Sequence, residues 1–118
     1  MTNREILSVL HGLAELREIK VPLNIKTSYI LARNDKILSE YATIINDKQI
    51  EIYAKWGNKD NGKIIVSPDN RENLEKDIDE LLNIDNKVQI VKLHLQDFGE
   101  VEIPFNILED LFPIIIEE

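Results

Sequence analysis

The chain has 118 residues, and its 43% apolar and 31% charged side chains are typical of a globular protein, here predicted to be a single domain spanning residues 1–118. The absence of cysteine excludes disulfides, thiolate zinc sites and thiol catalysis. The net charge is −8, with fourteen acidic and four basic side chains in residues 64–118; because binding to phosphates needs clustered Lys and Arg, direct nucleic-acid binding is not expected.

The first predicted element is a helix near the N-terminus. Thr2 and Glu5 have the spacing of a capping box, in which each side chain bonds the backbone N–H of the other residue. Apolar residues then recur at helical spacing. Gly12 weakens this helix but permits close approach of a neighbouring helix. Pro22 forces the residue before it into an extended conformation, which predicts that the helix ends near residues 18–20.

A long second helix is predicted over about 26–56, because this stretch contains neither proline nor glycine. Its apolar side chains include a row spaced by seven residues: Leu31, Leu38, Ile45 and Ile52. A helix of about 30 residues is roughly 45 Å long, so the first helix can cover about half of it. We expect C-terminal elements, or a second copy of the chain, to cover the rest.

The remaining elements are shorter. Ser67 and Pro68 are typical of a helix start and predict a third helix over about 68–83. The sequence also predicts β-strands at about 63–66, 87–96 and 100–103, and a short C-terminal helix that begins at Pro104. The apolar alternation in the second strand changes phase near residue 90, which indicates a bulge or a strand covered on both faces.

Together these elements predict an α+β fold. It consists of an N-terminal helical hairpin with one long helix (about 26–56), a third helix (about 68–83), a small antiparallel sheet (about 63–66, 87–96 and 100–103) and a short C-terminal helix.

The sequence offers little support for catalysis. His11 and His94 lack a second histidine at ligand spacing, and the four glycines are isolated, so we expect no metal and no cofactor. Carboxylates are too abundant to single out an acid–base pair. The protein is therefore predicted not to be an enzyme. A small enzyme or ligand-binding domain stays open as an alternative, because a sequence does not reveal pockets.

The long helix is the predicted interaction surface. Aromatic residues commonly anchor protein interfaces, although they also pack in cores with their polar tips exposed. We expect binding of a protein partner, or self-association as a homodimer, through six residues. These are Leu31, Leu38, Tyr41, Ile45, Ile52 and Trp56.

The third helix suggests an alternative function. Its acidic side chains can form a face that occupies a basic nucleic-acid-binding site of a host protein, which would make the chain an inhibitor. The simpler interpretation is a solvated acidic surface. The residues of this face are Asp69, Glu72, Glu75, Asp79 and Glu80.

Location follows from two absences. No stretch approaches the roughly 20 apolar residues of a membrane helix, so no membrane partner is expected. The start of the chain, residues 1–5, also lacks the basic and apolar regions of a signal peptide. We therefore expect a cytoplasmic protein.

Two runs of the sequence carry a resemblance to a known group of proteins. Residues 13–22 (LAELREIKVP) and 27–34 (TSYILARN), with the Leu-rich end at 108–118, are similar to small uncharacterised proteins of phages and prophages of Gram-positive bacteria. The resemblance implies a phage-related origin, an accessory or assembly role, and location in the host cytoplasm. It implies no catalytic residues.

Overall fold

The longest element of the computed structural model, which describes residues 1–116, is an unbroken helix of 32 residues. This helix, α2 (Ile25–Trp56), begins at the N-cap Asn24, whose side chain accepts a hydrogen bond from the backbone N–H of Thr27 at 2.9 Å. A helix of this length spans about 48 Å, and the longest dimension of the molecule is 51 Å. The predicted long helix is confirmed, starting one residue earlier than expected.

Helix α1 (Asn3–Ile19) precedes α2 and packs antiparallel against its first half. The predicted capping box is present: the Glu5 N–H donates to Thr2 Oγ1 at 3.1 Å and the Thr2 N–H donates to Glu5 Oε1 at 2.9 Å. The helix ends at Lys20, which has a left-handed conformation with φ 52°. Pro22 follows two residues later, and the helix ends where the sequence predicts.

Helix α3 (Pro68–Leu82) covers the second half of α2. The end of α3 meets the start of α1 at Asn3, which is 4% exposed. The Asn3 side chain donates to the carbonyl of Leu81 at 2.7 Å, and its backbone N–H donates to that of Ile84 at 3.0 Å. Thus α1 and α3 follow one another along α2, and it is α3, rather than C-terminal elements or a second copy, that covers the far half.

The first residue adds a charged contact to this junction. The Met1 ammonium donates to Asp85 Oδ1 at 2.8 Å and to the carbonyl of Asn86 at 3.0 Å. The hydrogen bond and the positive charge of the ammonium lower the pKa of Asp85. The chain start is therefore joined to the segment that leaves α3.

A two-stranded antiparallel sheet connects α2 to α3. Strands β1 (Asn58–Asp60) and β2 (Lys63–Ile65) pair with Asp60 opposite Lys63. The two residues between them, Asn61 and Gly62, both have positive φ, at 50° and 79°. These angles are typical of a type I′ turn, which favours Asn-Gly. The α+β class is confirmed. The sheet is this hairpin: its second strand matches the strand predicted at about 63–66, and its first strand was not predicted.

The predicted strands at 87–96 and 100–103 are wrong, since neither pairs in a sheet within the described residues. Residues 87–94 form no regular secondary structure apart from a single bridge residue, Leu93. Leu93 forms an isolated parallel bridge with Ile115, donating to the carbonyl of Ile114 at 2.8 Å and accepting from the N–H of Ile116 at 2.8 Å.

Asn34 of α2 supplies the other partner of this segment. Its side-chain amide donates to the carbonyl of Val91 at 2.8 Å and accepts from the N–H of Val91 at 3.1 Å. The residue is 1% exposed. A side chain thus takes the place of a neighbouring strand, and this contact lies where the apolar alternation changes phase. The periodic pattern did not reveal this hydrogen-bond partner.

At the end of this segment, the N–H of His94 donates to the side chain of Asp97 at 2.8 Å. A 3-10 helix (Leu95–Phe98) follows, and Gly99 then turns the chain with φ 76°. Residues 100–103 continue without strand pairing to α4 (Phe105–Leu111), the predicted short C-terminal helix. A second 3-10 helix (Phe112–Ile114) ends the regular structure. Residues 117–118, the end of the Leu-rich region in the phage resemblance, lie outside the described residues.

The core lies on both sides of α1, which packs between α2 and α4. Gly12 permits the close contact with α4, since a Cβ at this position would lie 2.9 Å from Asp110 Cβ. The buried apolar side chains come from α1, α2, Leu93, Phe98 and the C-terminal elements. No helix in the described part of the chain combines the length and apolarity needed to cross a bilayer.

We expect Asn34→Ala to lower the free energy of unfolding by about 1–3 kcal/mol, because both backbone groups of Val91 would lose their partner. Asn46→Ala, at an exposed position of the same helix, should change it by less than about 0.5 kcal/mol. Urea denaturation measures both values. Equal effects of the two substitutions would show that the Asn34 contact does not hold the segment.

Candidate functional site

Three of the six residues predicted to form the interaction surface are buried by the chain itself. Leu31, Leu38 and Ile45 are 6%, 0% and 2% exposed, respectively. Because α1 and α3 lie in sequence along α2, this apolar row needs no second copy to exclude water. These three side chains are part of the core, and the prediction that they form a free surface is wrong.

Trp56, the last residue of α2, is held against α3. Its indole N–H donates to Asp77 Oδ2 at 2.7 Å, and its backbone carbonyl accepts from the side-chain amide of Asn70 at 3.2 Å. The ammonium of Lys55 lies 4.9 Å from the centre of the ring. These contacts fix the end of α2 to α3. Tyr41 and Ile52 are half-buried.

A different apolar surface is exposed on the second half of α2. Ile50 is 57% exposed and Tyr53 is 41% exposed, and their spacing of three places them side by side on the helix. Gly57, four residues beyond Tyr53, is covered by Ile64 of the hairpin, since a Cβ at Gly57 would collide with that side chain. Ile64 is itself 43% exposed. We call Ile50, Tyr53 and Ile64 the arm patch.

The arm patch belongs to a thin part of the molecule that we call the distal arm, residues 45–82. It comprises the second half of α2, the hairpin and α3. Within α3 the one buried side chain is Leu74, which is 9% exposed. Two helices and a small hairpin therefore expose apolar residues that the rest of the described chain does not cover.

The predicted acidic face lies on the outer side of the distal arm. All five of its side chains are exposed: Asp69, Glu72, Glu75, Asp79 and Glu80. Asp79 approaches Arg4 of α1, with 3.6 Å between the carboxylate and the guanidinium. The face is therefore accessible to a partner.

A groove of about 480 Å³ lies where α1 turns into α2. Its floor is apolar and includes Leu13, Leu16 and Leu31. Asp35, the carboxylate in its lining, pairs with Arg17 at 3.1 Å and accepts from the Ser39 hydroxyl at 3.0 Å. Within the described residues, this groove does not bring two carboxylates together as acid–base chemistry requires.

A polar cluster lies at the contact between α1 and α4. His11 Nδ1 is 2.9 Å from Asp110 Oδ2 and 2.9 Å from Glu15 Oε1. The Ser8 hydroxyl donates to Asp110, with the backbone carbonyl oxygen at 3.2 Å and Oδ1 at 3.3 Å. The Asn106 amide donates to Glu15 Oε2 at 3.2 Å. Since the serine bonds the aspartate rather than the histidine, the arrangement is not that of a Ser-His-Asp triad.

Two carboxylates beside one imidazole favour its protonated form. The hydrogen bond to Asp110 and then the charge of Glu15 raise the pKa of His11 above its ordinary value of 6.5. The sequence indicates half of this cluster, because residues 11 and 15 share one face of a helix. Asp110 lies 99 residues from His11, and sequence spacing does not reveal such a contact.

No family model matches the chain, and neither does any curated protein or solved structure with which it was compared.

An NMR titration should give a pKa above 6.5 for the His11 ring, because its protonated form donates to Asp110. Asp110→Asn should move that pKa back towards 6.5. Since the folded value is the higher one, the stabilisation is complete below pH 6.5 and is lost as the pH rises through the folded pKa. A His11 pKa at or below 6.5 would contradict the ion pairs described above.

Proposed function

We propose that the protein acts without catalysis, as a phage- or prophage-related accessory or assembly protein, and that it associates with a second copy of itself through the distal arm. The supporting observation is the arm patch, where Ile50, Tyr53 and Ile64 stay exposed beside helices that bury little. Exposed apolar groups of this kind, surrounded by charges, are typical of interaction sites.

The charges of the arm favour a second copy as the partner. Its tip, residues 55–63, carries three lysines against one aspartate, for a net charge of +2. Helix α3 carries six acidic and two basic side chains, for a net charge of −4. Two arms related by a two-fold axis and packed antiparallel would place each basic tip beside the acidic helix of the other copy.

Such pairing would also cover the apolar side chains of each arm that α3 and the hairpin leave exposed. Two arms together make a four-helix arrangement, in which the apolar sides of all four helices can face inward. Helix α3 is about 22 Å long and two adjacent helices are about 20 Å wide, so each arm offers a face of roughly 450 Å². A standard interface buries about 800 Å² per partner, so the expected dimer is weak.

We expect sedimentation experiments to show a monomer–dimer equilibrium. Protein concentrations from about 1 µM to about 1 mM are appropriate for a weak complex. Ile50→Glu should weaken the association at least about tenfold, because it places a charge in the paired face. Ile25→Glu is the matched control: it changes an isoleucine that is 86% exposed at the other end of α2, and it should leave the equilibrium unchanged.

Circular dichroism will confirm that both variants keep the helical content of the original chain. A monomer at the highest concentration, or equal effects of Ile50→Glu and Ile25→Glu, would contradict association through the arm.

The exposed acidic face supports a second candidate function, inhibition of a nucleic-acid-binding protein. A monomer that binds a basic protein with steep salt dependence would favour this alternative.

A further inference from the structure

The cluster between α1 and α4 places three metal-ligating atoms around one point. His11 Nδ1, Glu15 Oε1 and Asp110 Oδ2 all lie within 4.8 Å of one another. His11 and Glu15 come from successive turns of α1, whereas Asp110 comes from α4. Both carboxylate oxygens are 2.9 Å from the same imidazole nitrogen.

The second oxygen of each carboxylate is bonded by a neighbouring side chain. Ser8 Oγ donates to Asp110 Oδ1, and Asn106 Nδ2 donates to Glu15 Oε2. These contacts leave Oδ2 and Oε1 directed at His11. Side chains that orient ligands in this way are typical of the outer shell of metal sites.

We propose that this cluster binds a divalent transition-metal ion of the zinc class, through His11 Nδ1, Glu15 Oε1 and Asp110 Oδ2. A tetrahedral zinc ion lies about 2.0–2.2 Å from nitrogen and oxygen ligands, which requires the ligand atoms to be roughly 3.3 Å apart. The two 2.9 Å contacts therefore need to open by a few tenths of an ångström, and the two carboxylate oxygens, which lie within 4.8 Å of each other, need to reach the same separation. A fourth position, open to solvent, takes water.

The donor set decides between classes of cation. Calcium and magnesium prefer sites in which every ligand atom is an oxygen, so the ring nitrogen of His11 disfavours them. One imidazole and two carboxylates, by contrast, suit zinc and its neighbours in the first transition row. The metal replaces the proton that bridges His11 to the carboxylates, so binding strengthens as the pH rises.

Bound metal would cross-link two helices that are far apart in the sequence. Asp110 is part of α4, which packs on α1 next to Gly12. A ligand that binds the folded chain and not the unfolded chain raises its thermal stability. The site is separate from the arm patch, so its test is independent of self-association.

The test is a titration of the full chain with zinc ions alone, followed by NMR of the histidine rings and by thermal denaturation. We expect the His11 signals to shift while those of His94 stay unchanged, and Tm to rise with zinc concentration. Magnesium at the same concentration should neither shift the His11 signals nor raise Tm. Binding should weaken several-fold on lowering the pH from about 7.5 to about 6, because protons compete for His11.

Substitutions separate the site from unspecific binding to carboxylates. His11→Gln and Glu15→Gln should abolish the zinc effects, whereas the matched control Glu18→Gln, an exposed residue of the same helix, should retain them. Ser8→Ala should weaken binding about tenfold through loss of the outer-shell hydrogen bond. The proposal is overturned if His11 signals do not respond to zinc, or if Glu18→Gln reduces binding as much as Glu15→Gln does.

Discussion

The architecture follows from the length of α2. A helix of 32 residues is too long for any one neighbouring helix in the described chain to cover, so α1 packs on its first half and α3 on its second. The two covering helices need a junction, which Asn3 supplies by donating to carbonyls at the end of α3. The rest of the fold, including α4 and residues 87–94, assembles on the α1 half.

Helices were predictable because their signals are local. The Thr2–Glu5 capping box, the absence of proline and glycine from α2, and Ser67-Pro68 at the start of α3 each act within one or two turns. The strands at 87–96 and 100–103 were not predictable in the same way. An apolar alternation indicates an extended backbone, but a strand also needs a partner strand. Here Val91 is bonded by Asn34, a polar residue within a helix, and Leu93 is bonded by residues 114–116 in an isolated bridge.

The same distinction applies to the candidate sites. The spacing of Leu31, Leu38 and Ile45 correctly indicates an apolar side of α2, but it does not reveal that α1 and α3 cover that side. Likewise, His11 and Glu15 share a helix face in the sequence, whereas Asp110 joins them through the packing of α4. Long-range contacts thus decide which of these residues belong to the core and which to a candidate site. Patterns in a single sequence do not reveal such contacts.

The unequal cover along α2 also has a consequence for dynamics. On the α1 half, side chains from several elements converge into one core, whereas the distal arm is held by Leu74, Trp56 and a few half-buried neighbours. Amide hydrogens of the arm should therefore exchange with solvent through partial opening, while those of α1 require global unfolding to exchange. The molecule has a stable end and a labile end, joined by one continuous helix that belongs to both.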